Sequence, residues 1–107
     1  MEKTPVKVFF VKSENGEIDA VMPFELGTND PMTMTVYSHV GQHSSCHALW
    51  VQEQKKAKPE EYKDLLDELN NQIGYDVEIL TRFDYPSSYL QRAGKLKNFR
   101  EFVNEDK

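Results

Sequence analysis

A single cysteine among 107 residues leaves no partner for an internal disulfide, which accords with a reducing compartment. Long apolar runs are missing too. The longest, such as Val8-Phe9-Phe10-Val11, are strand-sized and fall far short of the roughly 20 residues that a membrane-spanning helix needs. Met1-Glu2-Lys3-Thr4-Pro5 lacks the basic and then apolar blocks of a secretory signal, so a cytoplasmic location is expected. The five glycines, at 16, 27, 41, 74 and 94, form neither a P-loop nor a dinucleotide fingerprint. Positive charge is in deficit: 13 Lys and Arg against 18 Asp and Glu give a net charge of −5, which disfavours a broad grip on nucleic acid. Arg82, Arg92, Lys95, Lys97 and Arg100 do gather in the last quarter as a candidate basic patch. Glu101, Glu105 and Asp106 partly offset them.

What is there belongs to a folded domain: 38% hydrophobic and 29% charged residues, in a length suited to one domain with one core. Residues 1–107 are read as that domain, with a core over about 5–83 and an appendage over about 84–107. Val6 to Lys12 is rich in Val and Phe, as strands are. Asn15-Gly16 then predicts a two-residue hairpin turn, because both residues tolerate positive φ. Ile18 to Met22 alternates and forms the returning strand. Pro23 to Pro31, with two prolines, a glycine and Asn29-Asp30, reads as a loop. Met32 to Val40 alternates again as a third strand, Gly41 to Ser45 is the following turn, and Cys46 to Gln52, with Trp50, is a fourth strand.

The clearest helix begins at Lys58-Pro59-Glu60-Glu61-Tyr62. Proline suits the first helical position, and the two glutamates suit the positive end of the helix dipole. Tyr62, Leu65, Leu66, Leu69 and Ile73 recur at helical spacing, and Gly74 supplies a C-terminal cap. Tyr75 to Phe83 is a fifth strand. Residues 86–93 form a short helix ended by Gly94, and Leu96, Phe99, Phe102 and Val103 follow at near-helical spacing. The class is α+β: a mostly antiparallel sheet of about five strands in the order β-β-β-β-α-β, one main helix on one face, and a short helical C-terminal appendage.

The run Tyr37-Ser38-His39-Val40-Gly41-Gln42-His43, followed by Lys58-Pro59-Glu60-Glu61-Tyr62 and Ile73-Gly74-Tyr75, resembles a family of small uncharacterised proteins from bacteria, phages and other mobile elements. The resemblance covers roughly Glu17 to Phe83. It implies kinship and an accessory role, such as modulating a host defence system, but brings no chemistry. Cys46, His47 and the segment after Phe83 lie outside it.

All three histidines and the cysteine fall within Ser38–His47, S-H-V-G-Q-H-S-S-C-H. Zinc takes such donors in a tetrahedron, and the alternative reading is a zinc-binding domain or metal-dependent enzyme centred on His39, His43 and His47. Gly41, Val40 and the Ser-Ser pair instead favour strand and turn, in which neighbours Cys46 and His47 point to opposite faces. Nucleophilic catalysis would need Cys46 or Ser44 in contact with His39 or His43, and nothing marks an oxyanion hole, so no catalytic residue is assigned. Binding is the preferred reading. His39, Gln42, His43 and Ser44 supply hydrogen-bonding groups, Tyr37 and Trp50 flat apolar walls, and Arg82 a counter-charge for an anion. The expectation is a non-catalytic binding or interaction module, without cofactor, metal or membrane attachment and with nucleic acid disfavoured. It contacts a protein or small ligand through residues 38–47, and a homodimer through a sheet edge or the C-terminal amphipathic segment is a further expectation.

Overall fold

A computed structural model describes residues 3–38 and 42–105, with Gln42 and residues 99–105 described as backbone. Its elements run β1 (Thr4–Lys12), β2 (Ile18–Leu26), β3 (Thr33–Ser38), β4 (Gln42–His47), α1 (Ala48–Glu53), β5 (Lys55–Lys56), α2 (Pro59–Glu68), β6 (Tyr75–Ile79) and α3 (Tyr85–Glu105). A π-helical turn, Leu69–Ile73, prolongs α2. The expected α+β class is what the chain adopts. The sheet order is β4-β3-β2-β1, and β1 then divides its outer edge between two partners. Its end, Val11-Lys12, pairs antiparallel with β5, and its first half, Thr4–Val8, pairs parallel with β6. That parallel pairing is the exception in an otherwise antiparallel sheet, and the helical crossover through α2 makes it geometrically possible.

Strand alternation sorts the core into two layers. Val6, Val8, Phe10, Ala20, Met22 and Tyr37 face α2 and pack with Leu65 and Leu69. Phe9, Val11, Val21, Met34 and Val36 face the other way, against Ala48 and Val51 of α1 and the half-buried Trp50, Leu80, Phe83 and Tyr85. On the α2 face the Phe10 and Tyr62 rings stack at 4.2 Å between centroids. At the start of α2 the Glu61 carboxylate accepts from the Lys58 N–H at 3.0 Å and from Lys12 Nζ at 2.5 Å. The Lys12 bond, then the Lys58 bond, holds its carboxyl below the ordinary range. Gly74 ends the helical run at φ 89°, the left-handed conformation a glycine cap provides.

Several local expectations change. Gly16 N bonds Ser13 O and Ser13 N bonds Glu17 O, so Glu14–Gly16 form a three-residue loop with Gly16 at φ 85°, not a two-residue turn. Pro23 lies inside β2, not in a loop. Its missing N–H costs no ladder bond, because odd-numbered β2 residues face β1 and that ladder ends at Phe9↔Val21; the β2–β3 register separately jumps between Met22↔Thr35 and Leu26↔Met34, bulging out Pro23, Phe24 and Glu25. The predicted fourth strand over 46–52 is instead the end of β4 followed by α1. His47 Nδ1 accepts from the Leu49 N–H at 3.1 Å, an N-terminal cap that turns the chain into a helix at Ala48. β6 stops at Ile79, short of Phe83.

The short C-terminal helix is a 21-residue one that runs through Gly94. A mid-helix glycine costs about 1 kcal/mol relative to alanine, and docking on either side of Gly94 offsets it. Arg92 is fully buried, with Nε donating to Pro31 O at 2.8 Å and Nη1 to Pro23 O at 2.6 Å. Lys95 Nζ donates to Phe24 O at 2.7 Å. The β2 bulge turns carbonyls away from the ladder, and α3 supplies cations to satisfy them. Among the described residues no helix is long and apolar enough to cross a membrane.

Arg92→Ala removes both donors and strands two carbonyls. The unfolding free energy measured in urea should fall by about 2–4 kcal/mol. A loss under about 0.5 kcal/mol, typical of a surface substitution, would show that α3 is not held this way.

Candidate functional site

β3 and β4 pair from Thr33↔His47 to Ser38↔Gln42 without a register shift. Two backbone bonds fix the phase of this ladder. Ala48 N bonds Met32 O on the β4 side, and Gly27 N bonds Thr33 O on the β2 side. Because antiparallel bonding alternates, β3 presents its even-numbered residues to β4. Ser44 and Cys46 therefore exchange bonds with Val36 and Met34, while the N–H and C=O groups of His43 and Ser45 and the N–H of His47 point away from the sheet; the His47 C=O is taken up by the first turn of α1. Among the described residues β4 pairs with β3 alone, and it is a free edge.

The same alternation divides the side chains. His43, Ser45 and His47 lie on the α2 face, Ser44 and Cys46 on the α1 face. His43 is exposed and its ring edge meets the buried Tyr37 ring at 4.9 Å between centroids. His43 Nε2 lies 3.0 Å from Tyr75 Oη at the start of β6. The Tyr37 hydroxyl in turn bonds the Glu68 carboxylate at the end of α2. On the opposite face Asp19, Val36, Ser38, Ser44, Cys46 and Trp50 line a cleft of about 410 Å³, with Ser45 and His47 bordering it at the strand edge. Ser38 Oγ donates to Asp19 Oδ1 at 2.8 Å on its wall.

The predicted site residues thus separate. Ser44 and Trp50 meet at the cleft, though Trp50 arrives from α1 rather than a strand. Tyr37 is fully buried, a core residue with a hydrogen-bonded hydroxyl instead of a ligand wall. Arg82 sits in the bend after β6, its side chain 84% exposed and 4.0 Å from Asp84. It lines a separate depression with Pro23, Leu80 and Ser88, so it supplies no counter-charge at the hairpin. Gln42 pairs with Ser38 through the backbone. His39 lies outside the described residues.

Metal and nucleophile readings meet the same geometry. His43 and His47, four residues apart on one extended strand, are separated by about 13 Å, too far to share an ion. Among the described residues no three His, Cys, Asp or Glu side chains gather as a metal-binding group. Cys46 and Ser44 lie on the face opposite His43, and His47, which borders their cleft, spends its Nδ1 on the Leu49 N–H. Burial first, then the Asp19 charge, pushes the Cys46 thiol up to about 11, with Arg92 acting weakly the other way. A nucleophilic cysteine needs the reverse shift.

Asp19 and Tyr75 are the site residues sequence reasoning missed, while the sequence offers Cys46 only as a metal donor or nucleophile. Asp19 carried a signal, a carboxylate at an alternating position in β2. Tyr75 carried none, since its reach to His43 depends on the parallel β1–β6 register. No protein-family model, no curated protein and no solved structure matches the chain.

Native Cys46 should react with a thiol reagent at pH 8 about a hundredfold more slowly than the unfolded chain, from the ratio of thiolate fractions at about 11 and 9.0. Equal rates in native and denaturing buffer would show that the thiol is not buried at the cleft.

Proposed function

We propose that this chain is a non-catalytic interaction module whose contact surface is the free edge of β4 together with the cleft beside it. The observation that carries this reading is the composition of the edge. β4 is Gln-His-Ser-Ser-Cys-His, with no lysine, proline, aspartate or glutamate to obstruct pairing. Natural sheets guard exposed edges with just such residues, and an unguarded edge is a template for an incoming strand. Elsewhere the outer strands are guarded: β5 is Lys55-Lys56, and β6 carries Asp76 and Glu78.

Recognition by strand addition has two parts. The backbone N–H and C=O groups of His43 and Ser45, with the His47 N–H, provide affinity that is indifferent to sequence. The cleft on the α1 face, with apolar Val36 and Trp50 beside Asp19 and Ser38, provides selectivity for alternate side chains of the guest strand. The sequence resemblance would make such a module an accessory protein of mobile-element or phage origin. Nothing in this mode of binding needs a cofactor or metal.

A photo-crosslinking amino acid at His43, on the edge, is compared with one at Glu60, on the exposed first turn of α2. In cells that make the protein, His43 should give a discrete adduct that Ser45→Pro abolishes, because proline removes an outward N–H without touching the β3 ladder. No adduct, or the same adduct from Glu60, would overturn the reading.

A further inference from the structure

The edge of β4 is not merely unguarded; it is complementary to itself. We propose that its partner is a second copy of this chain, joined antiparallel through β4 about a two-fold axis at Ser45, so that two sheets become one. This rests on the reading of β4 as the contact surface and names its occupant.

A two-fold axis perpendicular to the sheet keeps faces together, so a residue meets one of its own parity. Centring on Ser45 sets Ser45 opposite Ser45 of the second copy, and His43 opposite the second copy's His47. These are the residues whose backbone groups point away from β3, so this register pairs the outward groups of His43 and Ser45 and the outward N–H of His47, whose C=O is already bonded in α1. Centring on Ser44 would instead place His47 beyond the end of the partner strand. Between the bonded pairs, Ser44 stands opposite the second copy's Cys46 on the α1 face, at the close spacing of non-bonded pairs, about 4.5 Å between Cα atoms.

Charge singles out both this edge and this occupant. Each copy carries −5, so most encounters between copies are repulsive. Pairing β5 with itself would bring Lys55 and Lys56 against their own kind, and pairing β6 with itself would oppose Asp76 and Glu78. β4 brings no Lys, Arg, Asp or Glu to the contact. The small serines at the centre let the backbones approach, and His43, Ser44 and Ser45 are exposed and available.

The test is sedimentation equilibrium of the purified full chain at rising concentration, with two variants. Wild type should move from 12.5 kDa toward twice that mass. Ser45→Pro, which removes one outward N–H from each copy, should weaken the dimer about tenfold or more. With oxidised glutathione added as the two-electron oxidant, Ser44→Cys should form an intermolecular disulfide with the native Cys46 of the other copy, since the paired Cα spacing suits the bond. A mass fixed at 12.5 kDa at every concentration, with no crosslink from Ser44→Cys, overturns self-pairing. A dimer that neither variant affects overturns it equally, by placing the contact elsewhere. The edge reading fails separately, when a photo-reactive group at His43 yields no adduct of any mass; an adduct to another protein from a monomeric chain keeps the edge and removes the second copy as its occupant.

Discussion

The alternation of an extended strand governs everything this protein offers at its hairpin. Residues 42–47 bring two histidines and the single cysteine within six positions, which in a helix or a tight turn would be a candidate metal or catalytic cluster. Extended and held to β3, they are divided instead. The His43 imidazole goes to the α2 face toward Tyr75, the His47 ring caps α1 at the border of the cleft, and the thiol goes to the α1 face among Val36 and Trp50. The backbone is divided by the same period, half bonded inward and half aimed at solvent. What remains is a row of peptide groups and a cleft, the features on which the proposed strand-binding role rests.

The framework behind that edge depends on a proline. Pro23 lies just past the last β1–β2 pair, Phe9↔Val21, and the β2–β3 register jumps directly after Met22. The carbonyls so released would be costly if buried without partners. Arg92 and Lys95 reach them from α3, tying the C-terminal helix to the middle of the sheet. The Arg92 guanidinium has no carboxylate among its described partners, and burial draws its proton affinity down from the ordinary arginine range. Gly27, just past the bulge, lies so close to Met34 O and Ser45 Cβ that a Cβ there would stand 2.5 and 2.7 Å from them. Residues from Pro23 to Gly27 therefore link the position of α3 to that of β4.

Much of this was legible beforehand, wherever one element's own residues decide its state. The strands β1 and β2, the start of α2 at Pro59 and its end near Gly74 follow from alternation, proline and glycine. Features that depend on distant partners were hidden. Arg92 reads as a solvated cation until α3 is laid on the carbonyls of Pro23 and Pro31. Pro23 reads as a loop residue because its bulge exists only against β3. Trp50 was assigned to a strand because the helix signal at Ala48 comes from the His47 ring acting as a cap, which composition does not reveal. For the site, Ser44 and Trp50 were recognised, while Tyr37 belongs to the core and Arg82 to another part of the surface.

The most direct measurement is amide hydrogen exchange across β4, followed residue by residue in the chain diluted until it is monomeric. The N–H groups of Ser44 and Cys46, bonded to β3, should exchange slowly, while those of His43, Ser45 and His47, aimed outward, should exchange rapidly. Uniform slow exchange in that dilute monomer would mean that the outward groups are already satisfied within the chain. The edge would then be closed, and the surface described for this protein would not exist.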